Sequence, residues 1–374
     1  MINRDRLIKL TQSLIQINSE NPGSSEYELA YFLKDYLKPY GIKTRIYEFE
    51  KKRSNLLISL GDKNKPTLVL TSHLDTVPAG TNWRYPAFSG TIYKGRIYGR
   101  GATDDKGNLA ITVEAILNLI EEKFKLDYHL ILAATADEES GSQLGLIPLL
   151  NRRIITADAA LVLDSSSFDI LICQKGLIHL KISIFGKKAH GAYPWLGENA
   201  IEKTVEIIKE LKEYRFKFKS HPLLRPPTIN IGTIQGGEKV NVVSDWCQFS
   251  IDIRFLPGMS KDLILEDIKK IIKKNTRKFK IEILAIQNPF QIDKNNPLVS
   301  YLTEALKRNK IRFQLKGSEG ATVLTFFNEH GIPAIGFGVG QRNVSHASDE
   351  YIKIKDLYYG AKVLSDFLKN FCFT

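Results

Sequence analysis

Cysteine is scarce in this chain: Cys173, Cys247 and Cys372 are the only three, far apart and without C-x-x-C spacing. That excludes a disulfide framework and a thiolate metal site, and it fits a reducing cytoplasm. No apolar run approaches the roughly 20 residues needed to cross a bilayer, so no membrane segment is expected. The opening Met1-Ile2-Asn3-Arg4-Asp5-Arg6 lacks the apolar stretch and small-residue cleavage site of a secretory signal. Internal repeats and low-complexity tracts are missing too. The formal net charge of +12 raises the question of nucleic acid. Yet the lysines are scattered over presumptive helix faces, as in Lys269-Lys270 and Lys273-Lys274, with no basic motif interleaved by aromatics. No nucleic-acid partner is expected, and the charge reads as a solvated surface.

A chain of 374 residues exceeds what one hydrophobic core usually fills, which predicts about two domains. Leu7, Leu10, Leu14 and Ile17 repeat at helical spacing, as do Leu109, Val113, Ile116 and Ile120 in a helix expected to begin near Asp104. Apolar runs lead directly into polar clusters at three places. Leu68-Val69-Leu70 precedes Ser72-His73-Leu74-Asp75, Leu130 to Ala134 precedes Asp137-Glu138-Glu139, and Ala159 to Leu163 precedes Asp164. Near-continuous apolar strands separated by amphipathic helices predict an α/β catalytic domain whose mostly parallel sheet is covered by helices. Ligands in such sheets gather beyond the carboxyl ends of the strands, which is where these clusters fall.

From about residue 177 the pattern changes to strict alternation. Ile178, Leu180, Ile182 and Ile184 face one way, and Cys247, Phe249, Ile251, Ile253 and Phe255 alternate likewise. Residues 177–287 therefore read as a smaller inserted α+β domain, between catalytic segments 1–176 and 288–374. A helix near 297–308 and a buried strand around Ile332 to Phe337 complete the catalytic domain.

His73 and Asp75 stand two apart at a strand end, which would let one bind metal while the other supports it. A hydrogen-bonded strand-end histidine is the plainer alternative. Asp104 and Asp105, between Gly99-Arg100-Gly101 and Lys106-Gly107, would serve equally as helix caps. Asp137-Glu138-Glu139 crowds three acids together, which requires solvent or cations. Asp164 and His346 are uninformative singly, and the value of the set is collective.

At these residues the chain resembles the dinuclear zinc metallopeptidases and deacylases that include acetylornithine deacetylase, succinyl-diaminopimelate desuccinylase, aminoacylase and carboxypeptidase G. The resemblance runs nearly end to end. Ser72-His73-Leu74-Asp75-Thr76-Val77-Pro78 is similar to the family's first metal motif, and Gly99 to Gly107 to its bridging-aspartate motif. The resemblance implies that His73 and Asp164 hold one metal, Glu139 and His346 the other, and that Asp104 bridges them. It makes Asp75 the residue that orients His73, Glu138 the general base, the Asp104–Asp105 peptide cis, and Glu350 a buttress of the His346 loop. Asp164 departs mildly, since several members carry glutamate there. Gly186 to Pro194 resembles the histidine motif of the lid domain, which makes His190 a candidate oxyanion donor reaching across a homodimer formed by the inserted domain. Asn241, in Asn241-Val242-Val243, and Arg254, in Ile251 to Gly258, are candidate substrate contacts. On an alternating strand Arg254 would equally be a solvent-facing cation.

Imidazole and carboxylate ligands without thiolate suit two divalent ions, with zinc favoured and cobalt or manganese as alternatives. The implied activity is hydrolysis of the amide bond of an N-acyl amino acid, by water activated between the ions and deprotonated by Glu138. A short peptide is the other substrate class, which would make the chain a dipeptidase or carboxypeptidase. In Gly317-Ser318-Glu319-Gly320-Ala321-Thr322, Thr322 stands where related deacylases commonly carry an arginine. The alternative from a different class is an inactive hydrolase scaffold serving as a basic binding protein.

Overall fold

The computed structural model describes every residue except Ser24, Ser165, Arg342 and Thr374. Its contacts divide the chain into two compact units. The first comprises residues 1–172, 292–316 and 326–374, and the second residues 173–291 and 317–325.

The first unit is built on a sheet ordered Lys43–Glu50, Arg53–Leu60, His129–Thr135, Thr67–His73, Ala159–Leu163, Ala334–Phe337 and Ile170–Gln174. The four strands from His129–Thr135 to Ala334–Phe337 run parallel, whereas their neighbours at both margins are antiparallel. Thr67–His73 is buried along its whole length, as expected of a strand covered on both faces. Helix Lys106–Glu121 is buried almost all round and packs against Ile354–Asn370 and Arg4–Gln16. A small three-stranded sheet of Thr91–Tyr93, Arg96–Tyr98 and Tyr351–Lys353 brings two distant chain segments together.

Register places the chemistry. His73 is level with Thr135, Thr71 with Val162, and Phe337 with Leu163. The parallel strands therefore end together, and His73, Asp137 to Glu139, and Asp164 emerge at one margin.

The second unit is a four-stranded antiparallel sheet ordered Thr228–Gly236, Trp246–Phe255, Gly176–Phe185 and Phe279–Gln287. Its alternating apolar face, with Ile178, Leu180, Ile182, Ile184, Phe249 and Ile251, is buried beside residues of helices Ala200–Glu213 and Lys261–Asn275. Each helix begins at a polar cap, Asn199 and Ser260, whose side chain accepts a backbone N–H. The unit starts at Cys173 and its main segment ends at Gln291, where the sequence pattern placed 177 and 287. Gly317–Thr325, read from sequence as part of the catalytic domain, clusters with this unit instead. The physical reason is polar: Gln174 accepts from the backbone and hydroxyl of Thr322 and donates to its carbonyl, while Lys175 pairs with Glu319 at 2.6 Å.

Candidate metal centre

Asp104 is where the distant segments meet. One carboxylate oxygen, Oδ1, lies 3.0 Å from Nε2 of His73, and the other, Oδ2, lies 3.2 Å from Nε2 of His346. Glu139 Oε1 is also 3.2 Å from Nε2 of His346. Ligand atoms of His73, Asp104 and Glu139 all lie within 4.8 Å of one another. Asp164 follows the neighbouring strand, and its charge reaches both Glu138 and Asp105. The structure thus gathers His73, Asp104, Glu138, Glu139 and His346 at one centre, with Asp164 beside it.

The loop carrying Asp104 is held from beneath. Helix Lys106–Glu121 begins after Asp105, but the Asp105 side chain caps no helical N–H. It accepts instead from the Ser72 hydroxyl, the His73 backbone N–H at 3.3 Å and Asn108 at 2.8 Å, so the capping alternative does not describe it. The Asp104–Asp105 peptide is cis. Gly101 has φ of 83°, and a Cβ there would sit 2.8 Å from Thr76 and 2.9 Å from Lys106, so only glycine fits.

Glu350 does more than buttress the His346 loop. Fully buried, it accepts from the backbone N–H groups of Gly101, Thr103 and Asp104 at 3.1, 2.8 and 3.1 Å, and from Arg100 at 2.6 Å. Arg100 then donates to the carbonyls of His346, Ala347 and Pro78. Arg100 and Glu350 together fix both loops that carry histidine or aspartate to the centre. Sequence reasoning passed over Arg100, because an arginine between two glycines reads as a loop cation. Its burial is a tertiary fact.

Asp75 stands beside His73 and faces it more closely through its backbone than through its carboxylate. Nδ1 of His73 lies 2.9 Å from the backbone carbonyl of Asp75, while the carboxylate is 3.6 Å away. The strand ends at His73, so the side chains no longer follow the two-residue alternation. The carboxylate accepts from the backbone N–H of Glu138 at 3.0 Å, that of Glu139 at 3.1 Å, and Asn21 at 2.9 Å. It ties the His73 strand end to the acidic segment.

The electrostatics are those of several carboxylates crowded round two imidazoles. Burial pulls the His73 imidazole down, but the carboxylates of Asp104 and Asp75 outweigh it and hold it well above its usual range. Asp104 and Glu139 lift His346 to about 10. Burial would raise Asp104, yet the two imidazoles keep it far below the carboxylate range. Burial, with Glu139, Asp164 and Asp75 nearby, pushes Glu138 well above an ordinary glutamate. Both ring nitrogens face the same Asp104 carboxylate. Glu139 Oε1 is buried without an aligned hydrogen bond, a position that a cation would satisfy. The donor set, with this buried oxygen facing the His346 imidazole, fits divalent metal ions.

The remaining candidates lie in the second unit. His190 is exposed, bridges to Val242 and accepts the Ala192 backbone N–H at its Nδ1. Asn241 accepts from Gly191 at 2.8 Å through its carbonyl. The Arg254 guanidinium already forks onto Asp252 at 2.7 and 3.0 Å.

Residues 69–370 match the model of peptidase family M20/M25/M40. A probable succinyl-diaminopimelate desuccinylase of Staphylococcus aureus is 27% identical, across 94% of this chain and 93% of its own. An uncharacterized metallohydrolase of Methanocaldococcus jannaschii is 30% identical, across 98% and 99%. An M20 family metallo-carboxypeptidase from Sulfolobus solfataricus shares the fold, with a TM-score of 0.82 at 22% identity over 98% of this chain and 99% of that one. The family match and these relatives show that the chain belongs to peptidase family M20/M25/M40 and is a metal-dependent amide hydrolase.

Proposed function

We propose that the chain cleaves the amide bond of a small N-acyl amino acid by a two-metal mechanism. The observation that carries this reading is the Asp104 carboxylate, whose two oxygens face two different imidazoles. His73 and Asp164 would hold one ion, Glu139 and His346 the second, with Asp104 shared between them; zinc is the favoured metal, with cobalt and manganese compatible with the same donors. When bound, the ions would supply the positive charge that acidifies water and polarises the amide carbonyl.

The chain's own residues supply the rest. Glu138 would take a proton from water and return it to the departing nitrogen; burial pushes its carboxyl well above the usual glutamate range. Asp75 sets the position of Glu138 through the backbone. His190 is the proposed oxyanion donor, acting from the partner copy in a homodimer formed through the inserted domain. Support for that dimer comes from Tyr193, Trp195 and Leu196, which follow His190 and are 52, 73 and 59% exposed; such apolar clusters mark interaction surfaces. Asn241 and Arg254 are proposed substrate contacts, and a substrate carboxylate would replace Asp252 on the Arg254 fork. Free Cys173, Cys247 and Cys372 fit a reducing, cytoplasmic setting.

Thr322 favours a second reading, a peptidase. Its hydroxyl is committed to Gln174 and offers no guanidinium to an acyl carboxylate. The metal-loaded protein, assayed against N-acetyl, N-succinyl and N-formyl amino acids and dipeptides, decides between the readings. Chelator-sensitive release of a free amino acid from N-acyl substrates supports the first. Dipeptide cleavage alone supports the second, and no metal-dependent cleavage of any of them rejects both.

A further inference from the structure

Glu26 is fully buried just ahead of helix Tyr27–Leu37, and its carboxylate takes both prongs of Arg53, each at 2.7 Å. A buried ion pair contributes little net stability by itself, so its use lies in what it holds in place. Here both partners grip one residue. Glu26 Oε1 accepts the backbone N–H of Asp137 at 3.1 Å, and Arg53 Nη2 reaches Asp137 Oδ1 at 3.2 Å. Asp137 has φ of 63°, the left-handed conformation that a side chain rarely adopts without outside support. Its other carboxylate oxygen accepts from Leu144 at 3.1 Å, and its carbonyl from Ser142 at 2.6 Å. That turn sends the chain from the end of strand His129–Thr135 into Glu138 and Glu139.

A second connection closes the network. The Asn21 amide donates to Asp137 Oδ1 at 3.2 Å and to Asp75 Oδ2 at 2.9 Å. Asp75 receives the backbone N–H groups of Glu138 and Glu139. The segment that presents the proposed base is therefore pinned on one side by Asp75 and on the other by the charged pair.

We infer that Arg53 and Glu26 are positioning residues for Glu138 and Glu139, acting through the backbone turn at Asp137; this rests on the amide-hydrolase reading. Neither side chain touches the gathered ligands, so their effect falls on the rate of the chemical step rather than on substrate binding. A misplacement of about 1 Å at a catalytic group costs on the order of 100-fold in rate.

The test compares the wild-type full chain with the double variant Glu26→Gln/Arg53→Gln, which removes both charges of the pair and leaves the Asp137 carboxylate to the Asn21 amide and the Leu144 N–H, and with Arg53→Lys. All are assayed at saturating zinc, with thermal melting and bound-metal content measured alongside. The double variant is expected to melt cooperatively and keep its metal while kcat falls about 10–100-fold and KM changes by no more than about three-fold. Arg53→Lys keeps the charge without the fork and should recover only part of kcat. Hydrogen exchange gives a readout independent of turnover: the amides of Glu138 and Glu139 should exchange faster in the double variant. A folded double variant with wild-type kcat, or with unchanged exchange at these amides, overturns the inference. A wild-type protein that cleaves no amide defeats the functional reading, and the exchange measurement still decides this one.

Discussion

Asp75 accepts the backbone N–H of Glu138 at 3.0 Å, which joins the strand end bearing His73, a proposed metal ligand, to the segment bearing the proposed base. The carboxylate has no solvent exposure, and removing it strands the N–H groups of Glu138 and Glu139 and the Asn21 amide. Supports of this kind typically govern about 10–100-fold in metal affinity or activity. Asp75→Ala should therefore lose about that much of both, measured by chelator competition and by kcat/KM. Unchanged metal affinity and unchanged kcat/KM would remove Asp75 from the account.

Glu138→Gln keeps the shape of the side chain and removes its ability to accept a proton. Metal content should stay at the wild-type level while kcat falls by about 100-fold or more, the usual span for general base catalysis. Metal analysis and steady-state kinetics on the same preparation check this. A variant that retains full turnover would exclude Glu138 as the base.

Stability of the metal-free protein should depend on pH in a direction fixed by the histidines. His346 titrates near 10 when folded, against about 6.5 in an unfolded chain. The folded state binds the extra proton, so this contribution is complete below about pH 6.5 and is lost as pH rises toward 10. His73 shifts in the same direction. Asp104 and Asp75 are depressed and act in a separate acid window, losing their contribution as pH falls below about 4. In chelator, the melting temperature should decline between pH 7 and 10; with metal restored, the decline should flatten because the ions replace those protons. A metal-free melting temperature that rises across this range would contradict the assignment.

Glu350→Ala leaves the Arg100 guanidinium buried beside three unpaired backbone N–H groups. Breaking a buried pair in this way costs about 3–5 kcal/mol. Denaturant unfolding should show a loss of that size, and weaker metal binding should accompany it because the Asp104 loop is released. A loss below about 1 kcal/mol would mean that Glu350 is not the anchor.

Trp195→Lys places a charge in the exposed cluster beside His190 and should convert a dimer to a monomer by light scattering. If the wild-type protein is a fully active monomer at all concentrations, both the dimer and the role of His190 across it are wrong.

The strand ends could be read from the chain alone because each apolar run stops abruptly at a polar cluster, as Leu70 does before His73 and Leu163 does before Asp164. Asp164 and His346 are individually mute, and only their resemblance to a known motif set gives them roles. The layer beneath was invisible for a physical reason. Arg100, Glu26, Arg53 and Asn21 are ordinary polar residues locally, and their contacts arise only when segments distant in the chain, such as Asn21 and Asp137, fold together. The turn of Gly317–Thr325 toward the second unit depends on Gln174 and Lys175 in the same way.

Anomalous diffraction from crystals of the zinc-loaded protein tests the shared metal centre most directly. The account predicts two ions about 3.5–4 Å apart, one on His73 and Asp164, the other on Glu139 and His346, with one Asp104 oxygen on each. A single ion, or a pair that does not share Asp104, would contradict it.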